Sequence, residues 1–75
     1  MHIGSHIKSV FEQLPKHQSV TWLAQQLYCD RRNIYRIFQR DNIDVILLHR
    51  LSVILNHDFF MDLSKEFIDK SSETK

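Results

Sequence analysis

The stretch from Ser19 to Phe38, SVTWLAQQLYCDRRNIYRIF, constrains this chain more than any other part of it, because it reads as two short helices joined by a tight turn. At about 100° per residue, Ile34, Ile37 and Phe38 share one arc of the second helix. Arg32, Arg36 and Gln39 share the opposite arc, flanked by Tyr35. In the first helix Leu23, Ala24 and Leu27 fit the buried positions, with Ala24 small where two helices cross steeply. Cys29 plugs the turn, and Asp30 is placed to cap the second helix through the free N–H groups of its first turn. A helix with an apolar back and a basic front is suited to anchoring in a core and facing a polyanion.

The remaining segments are helical as well. With one Gly, one Pro and 43% hydrophobic residues, the 75-residue chain has the composition of a single compact helical domain. No alternating run bounded by Asn-Gly or Asp-Gly marks a β-hairpin. Ile3, Ile7, Val10, Phe11 and Leu14 recur at helical spacing up to Pro15, and Lys16 to Gln18 form a linker before Ser19, the expected cap of the next helix. After Phe38, the polar break Arg40-Asp41-Asn42 places Asn42 as the cap of a fourth helix that runs to about Leu55. Asn56 suits its C-terminal end. Phe59, Phe60, Leu63, Phe67 and Ile68 then mark a fifth helix, with Asp58 and Asp62 near the positive end of its dipole. The expectation is a five-helix domain over residues 1–70 and a disordered tail over 71–75.

The net charge is only +1, but it is unevenly spread. Residues 1–28 carry +1, residues 29–40 carry +3 from four Arg against Asp30, and residues 41–75 carry −3. Such asymmetry orients a molecule on a phosphate backbone. A solvated face whose arginines only confer solubility is the plainer reading of the charges alone.

The spacing of the two central helices resembles the helix-turn-helix of the Cro and lambda-repressor-like family, often called XRE-type regulators, and the likeness runs over most of residues 3–68. It implies an all-α, lambda-repressor-like fold with the motif at about 19–39, and sequence-specific binding of double-stranded DNA by a small transcriptional regulator. By position, it makes Arg31, Arg32 and Arg36 base-edge readers in the major groove, with Tyr35 and Gln39 as secondary contacts. Phosphate contacts fall to Arg40 and to the helix starts near Ser19, Thr21 and Asn42. The chain departs from the family in two places: Val20 stands where many members have a phosphate-clamping Gln, and Tyr28 where many have a turn Gly with a left-handed backbone.

The fourth helix is richer in apolar residues than one core requires. Leu47, Leu48, Leu51, Ile54 and Leu55 cluster on one side, while Ile46 and Val53 project on the other with His49 between them and Val45 at the margin. Either the fifth helix or the tail covers this second stripe, or it is a self-complementary patch for a homodimer. A dimer would set two recognition helices about one DNA turn apart, roughly 34–36 Å. The other reading of the stripe, with the Phe-rich C-terminus, is a protein-interaction module, antitoxin-like or adaptor, on a helix-turn-helix scaffold.

Other functions find little purchase. No nucleophile with a base, carboxylate pair or phosphate loop can be placed, so no enzyme activity is expected. His2 and His6, four apart, could share a metal on a helix but lack an evident third ligand, and His17, His49 and His57 are scattered; no metal or cofactor is expected. Trp22 fits packing against the first or fourth helix better than base stacking. One cysteine and no span of about 20 apolar residues point to a reducing cytoplasm, with no membrane and no small-molecule ligand as partners.

Overall fold

A computed structural model describes the backbone of residues 1–16 and 18–73 and the side chains of 1–16 and 18–68. The chain is all-helical: α1 (Ile3–Glu12), α2 (Val20–Gln26), α3 (Arg31–Gln39), α4 (Val45–Ile54) and α5 (Phe59–Glu73). α5 continues to Glu73, into the segment expected as a tail, of which Thr74 and Lys75 lie outside the described residues, as does His17 of the linker. No helix among the described residues is long and apolar enough to cross a membrane.

The apolar periodicities meet in one core. Ile3, Ile7 and Phe11 of α1 pack with Leu23, Ala24 and Leu27 of the α2 segment, with Ile34, Ile37 and Phe38 of α3, with Leu48, Leu51 and Leu55 at α4, and with Phe59 at the start of α5. Trp22 is half-buried against this core, as its spacing predicts, and shares a depression with Leu14, Ile54 and Leu55. Among the described side chains of α5, Phe60 and Leu63 near its start pack against the core while Phe67 and Ile68 remain exposed.

Both α2 and α4 end in the same way. Beyond α2, the Tyr28 N–H donates to the Gln25 carbonyl at 3.3 Å and the Cys29 N–H to the Ala24 carbonyl at 3.0 Å. Beyond α4, Asn56 N–H donates to Val53 at 3.3 Å and His57 N–H to Ser52 at 3.0 Å. These are paired Schellman bonds, which need a left-handed residue between helix and exit. Tyr28 (φ 55°) and Asn56 (φ 51°) supply it. Asn tolerates this conformation, whereas a Tyr there is uncommon.

Two expected caps are corrected. Asn42 does not cap α4: the chain takes two more residues to turn, and the Asp44 carboxylate accepts from the Leu47 N–H at 2.7 Å, while Asn42 donates to the Asp41 carboxylate at 3.2 Å. Asp30 occupies the position before α3 with extended backbone, but its side chain makes no capping hydrogen bond. Its carbonyl instead accepts from Asn33 N–H at 3.0 Å, which closes the first turn through the backbone. Side chains do cap the other helices: His2 Nδ1 accepts from Ser5 N–H at 3.1 Å, Ser19 from Trp22 N–H at 3.0 Å and Asp58 from Met61 N–H at 3.0 Å.

α1 fixes the far end of α3. The Gly4 N–H, a donor with no partner inside its own helix, donates to the Arg40 carbonyl at 2.8 Å, and Ile3 N–H reaches the Asp41 carbonyl at 3.4 Å. The open donors of one helix thus satisfy the open acceptors of another, with their dipoles complementary. Such an approach requires glycine: a Cβ on Gly4 would lie 2.6 Å from the Phe38 carbonyl oxygen and closer still to those of Ile37 and Arg40.

Candidate nucleic-acid interface

α3 owes its position to three buried residues. Ile34 is fully enclosed, and Ile37 and Phe38 are nearly so. The Phe38 ring contacts Phe11 of α1 at 6.1 Å and carries the Tyr35 ring edge-on at 6.4 Å. With that stripe held and the end pinned by Gly4, the outward arc is held in place. Arg31, Arg32, Asn33, Tyr35, Arg36 and Gln39 are all exposed on it.

The exposed residues form two adjoining depressions. Arg32, Asn33 and Arg36 line one, together with Asp30 at the helix start. The second holds Asn33 and Arg36 again, with Arg40 from the helix end, Tyr28 from the turn and Arg50 from α4, over a floor of Leu27, Ile37 and Leu47. Cys29, expected as a buried plug, is half-buried in this wall. Among the described residues, no acidic side chain pairs with Arg31, Arg32, Arg36, Arg40 or Arg50. Among the described residues, five guanidinium groups therefore keep their donors free of an acidic partner.

The expected contacts fall into groups. Arg36 lines both depressions, with Arg32 in the first and Arg40 in the second, whereas Arg31, Tyr35 and Gln39 stand on the same helix outside both. Ser19 and Thr21 are exposed at the start of α2, and Asn42 is exposed in the loop after α3. The sequence reading missed Asn33 and Arg50. Asn33 lies only about 60° from Arg36 around the helix, so the wheel could have included it. Arg50 is brought in by the packing of α4, which no local pattern reveals.

The second apolar stripe of α4 is uncovered among the described residues, so neither the fifth helix nor the described part of the tail fills that role. Ile46 is 75% and Val53 67% exposed, with Val45 and His49 also exposed beside them. No known protein family, curated protein or solved structure matches the chain.

Proposed function

We propose that this chain binds double-stranded DNA, with α3 presented to the major groove, as a small transcriptional regulator acting by occupancy in the cytoplasm. The observation that carries this reading is the basic arc of α3, without an acidic partner among the described residues and backed by Ile34, Ile37 and Phe38. Arg32 and Arg36 would read base edges, since a guanidinium matches guanine O6 and N7. Asn33 beside them has the donor and acceptor that suit adenine. Arg31, Tyr35 and Gln39 would extend the contact. Arg40, Arg50, Ser19, Thr21 and Asn42 would hold phosphates, helped by the α3 N-terminus, which carries no side-chain cap.

The left-handed Tyr28 supports the resemblance to the Cro and lambda-repressor-like family. Where that family favours Gly, the backbone here takes the conformation a glycine would.

The test is fluorescence anisotropy of a labelled duplex of random sequence at several salt concentrations. Binding should weaken linearly in log–log with salt, and Arg32→Ala with Arg36→Ala should lower affinity at least about 30-fold, at roughly 1–3 kcal/mol per contact, without melting the fold. Equal binding by that double variant would refute the groove assignment.

The bare stripe of Val45, Ile46, His49 and Val53 favours a second role on the opposite side of α4, association with another copy of the chain or with a protein partner. Sedimentation of Ile46→Asp with Val53→Asp, free and on a two-half-site duplex, separates these roles. Loss of self-association with retained DNA binding by a single half-site supports the dimer, and an unmodified chain that is strictly monomeric in both conditions excludes it.

A further inference from the structure

His6, His57 and Asp62 come from α1, from the exit of α4 and from the first turn of α5, and they meet at one point. His6 Nε2 lies 2.6 Å and His57 Nε2 2.5 Å from the same Asp62 oxygen, Oδ2. The three ligand atoms all lie within 4.8 Å of one another. We propose that this trio is a binding site for a divalent transition-metal ion of the zinc class.

The donor set decides the class of ion. Two imidazole nitrogens and one carboxylate oxygen suit Zn²⁺ and its neighbours Co²⁺ and Ni²⁺, whereas Mg²⁺ and Ca²⁺ require all-oxygen cages and thiophilic ions require cysteine. Metal–nitrogen and metal–oxygen bonds of about 2.0–2.2 Å in a tetrahedron imply donor separations of about 3.3 Å. Each imidazole nitrogen needs to part from the Asp62 oxygen by roughly 0.7–0.8 Å to admit the ion, with the two nitrogens, no more than 4.8 Å apart, settling near the same spacing. Their side chains are 30%, 36% and 21% exposed, which leaves an entry path and a fourth position for water.

The supporting shell is already rigid. Phe59, fully buried, meets the His6 ring edge-on at 5.8 Å and the His57 ring at 4.8 Å. The α4 exit fixes the His57 backbone through its bond to Ser52, and Asp58 caps the turn of α5 that carries Asp62. Burial alone would raise the Asp62 carboxyl, but the hydrogen bonds and charges of His6 and His57 outweigh it and hold the group below the usual carboxylate value. On binding, each ring offers a proton-free Nε2 to the metal: a neutral ring keeps its proton on Nδ1, and a charged ring releases its Nε2 proton to solvent. The ion would clip α1 to α5 across 56 positions of sequence. His2, the other member of the pair four apart, takes no part, because its Nδ1 accepts from the Ser5 backbone N–H and is engaged by the Ser5 hydroxyl.

The experiment uses the full chain, stripped with chelator and titrated with Zn²⁺ or Co²⁺ without DNA, followed by calorimetry and by the histidine ring-nitrogen signals. One ion per chain is expected, with the Nε2 signals of His6 and His57 moving together. Tm should rise by about 10–20 °C when free metal is a hundredfold above Kd. Asp62→Asn and His57→Gln should each weaken binding at least tenfold, and His2→Gln should not. If ring-nitrogen shifts are absent at excess metal in the unmodified chain, or fall on other histidines, the trio is a hydrogen-bonded tie only and the proposal is overturned.

Discussion

The basic arc of α3 and the histidine–aspartate trio at the α1–α5 junction handle charge in opposite ways. On α3 and beside it, five arginines stand without an acidic partner among the described residues. At the junction, one carboxylate oxygen holds two imidazoles. Unpaired cations at a surface cost little while water solvates them and remain available to a polyanion. Charges paired between elements are already used, and what they deliver is the relative placement of those elements. One helix serves both regions: α1 closes on the end of α3 through Gly4, and His6, two residues later, faces Asp62.

The largest expected effect breaks both regions at once. Gly→Ala on a helix ordinarily stabilises by up to about 1 kcal/mol. Gly4→Ala should do the reverse, since its methyl would enter three carbonyl oxygens of α3 that are backbone and cannot swing aside. A loss above about 3 kcal/mol is expected, which lowers Tm by more than about 12 °C. Thermal denaturation followed by circular dichroism measures it, and a neutral or stabilising result would show that α1 does not meet α3 this closely.

A smaller change sharpens the boundary of the open region. Arg50→Ala removes the one guanidinium that α4 brings to the depression shared with Arg36 and Arg40. DNA affinity should fall about tenfold, uniformly over sequences, and the salt slope should decrease by about one. Titration of the variant against two unrelated duplexes distinguishes this from a base-reading role, in which the loss would depend on sequence.

The contrast between the regions is also a contrast in legibility. The α3 arc is local: its apolar and basic residues repeat within nine positions of one helix, so a wheel separates them before any tertiary contact is known. The helix count and the core stripes of α1 and α4 are of the same kind, whereas the left-handed backbone at residue 28 is suggested only by the resemblance to a known family. The trio is not local. His6 and Asp62 lie 56 positions apart, and no periodicity links them. His6 was visible only through its spacing to His2, a pairing the fold does not use. The caps show a milder version of this limit. Asn42 and Asp44 are both good capping residues, and the choice between them depends on where Ile43 finds the core. Asp30 stands at the right place but the first turn closes through its backbone.

Tyr28 belongs to the open region and tests it most finely. It is 89% exposed, so its ring gives the core almost nothing, yet its backbone is held left-handed. That conformation costs a side chain with Cβ about 1–2 kcal/mol. Tyr28→Gly removes this cost but adds roughly 0.5–1 kcal/mol of backbone freedom lost on folding, so a net gain of about 0.5–1 kcal/mol is expected. Asn56→Gly, at the matching exit of α4, should change stability by only a few tenths, because Asn tolerates the same φ. Strain kept at one exit and avoided at its twin calls for a local reason, and of the two residues Tyr28, not Asn56, lines the depression of Arg36, Arg40 and Arg50. Tyr28→Gly should therefore gain stability in chemical denaturation while losing affinity for DNA. A variant improved in both would show that the ring contributes nothing to the interface, which would then begin at α3 itself.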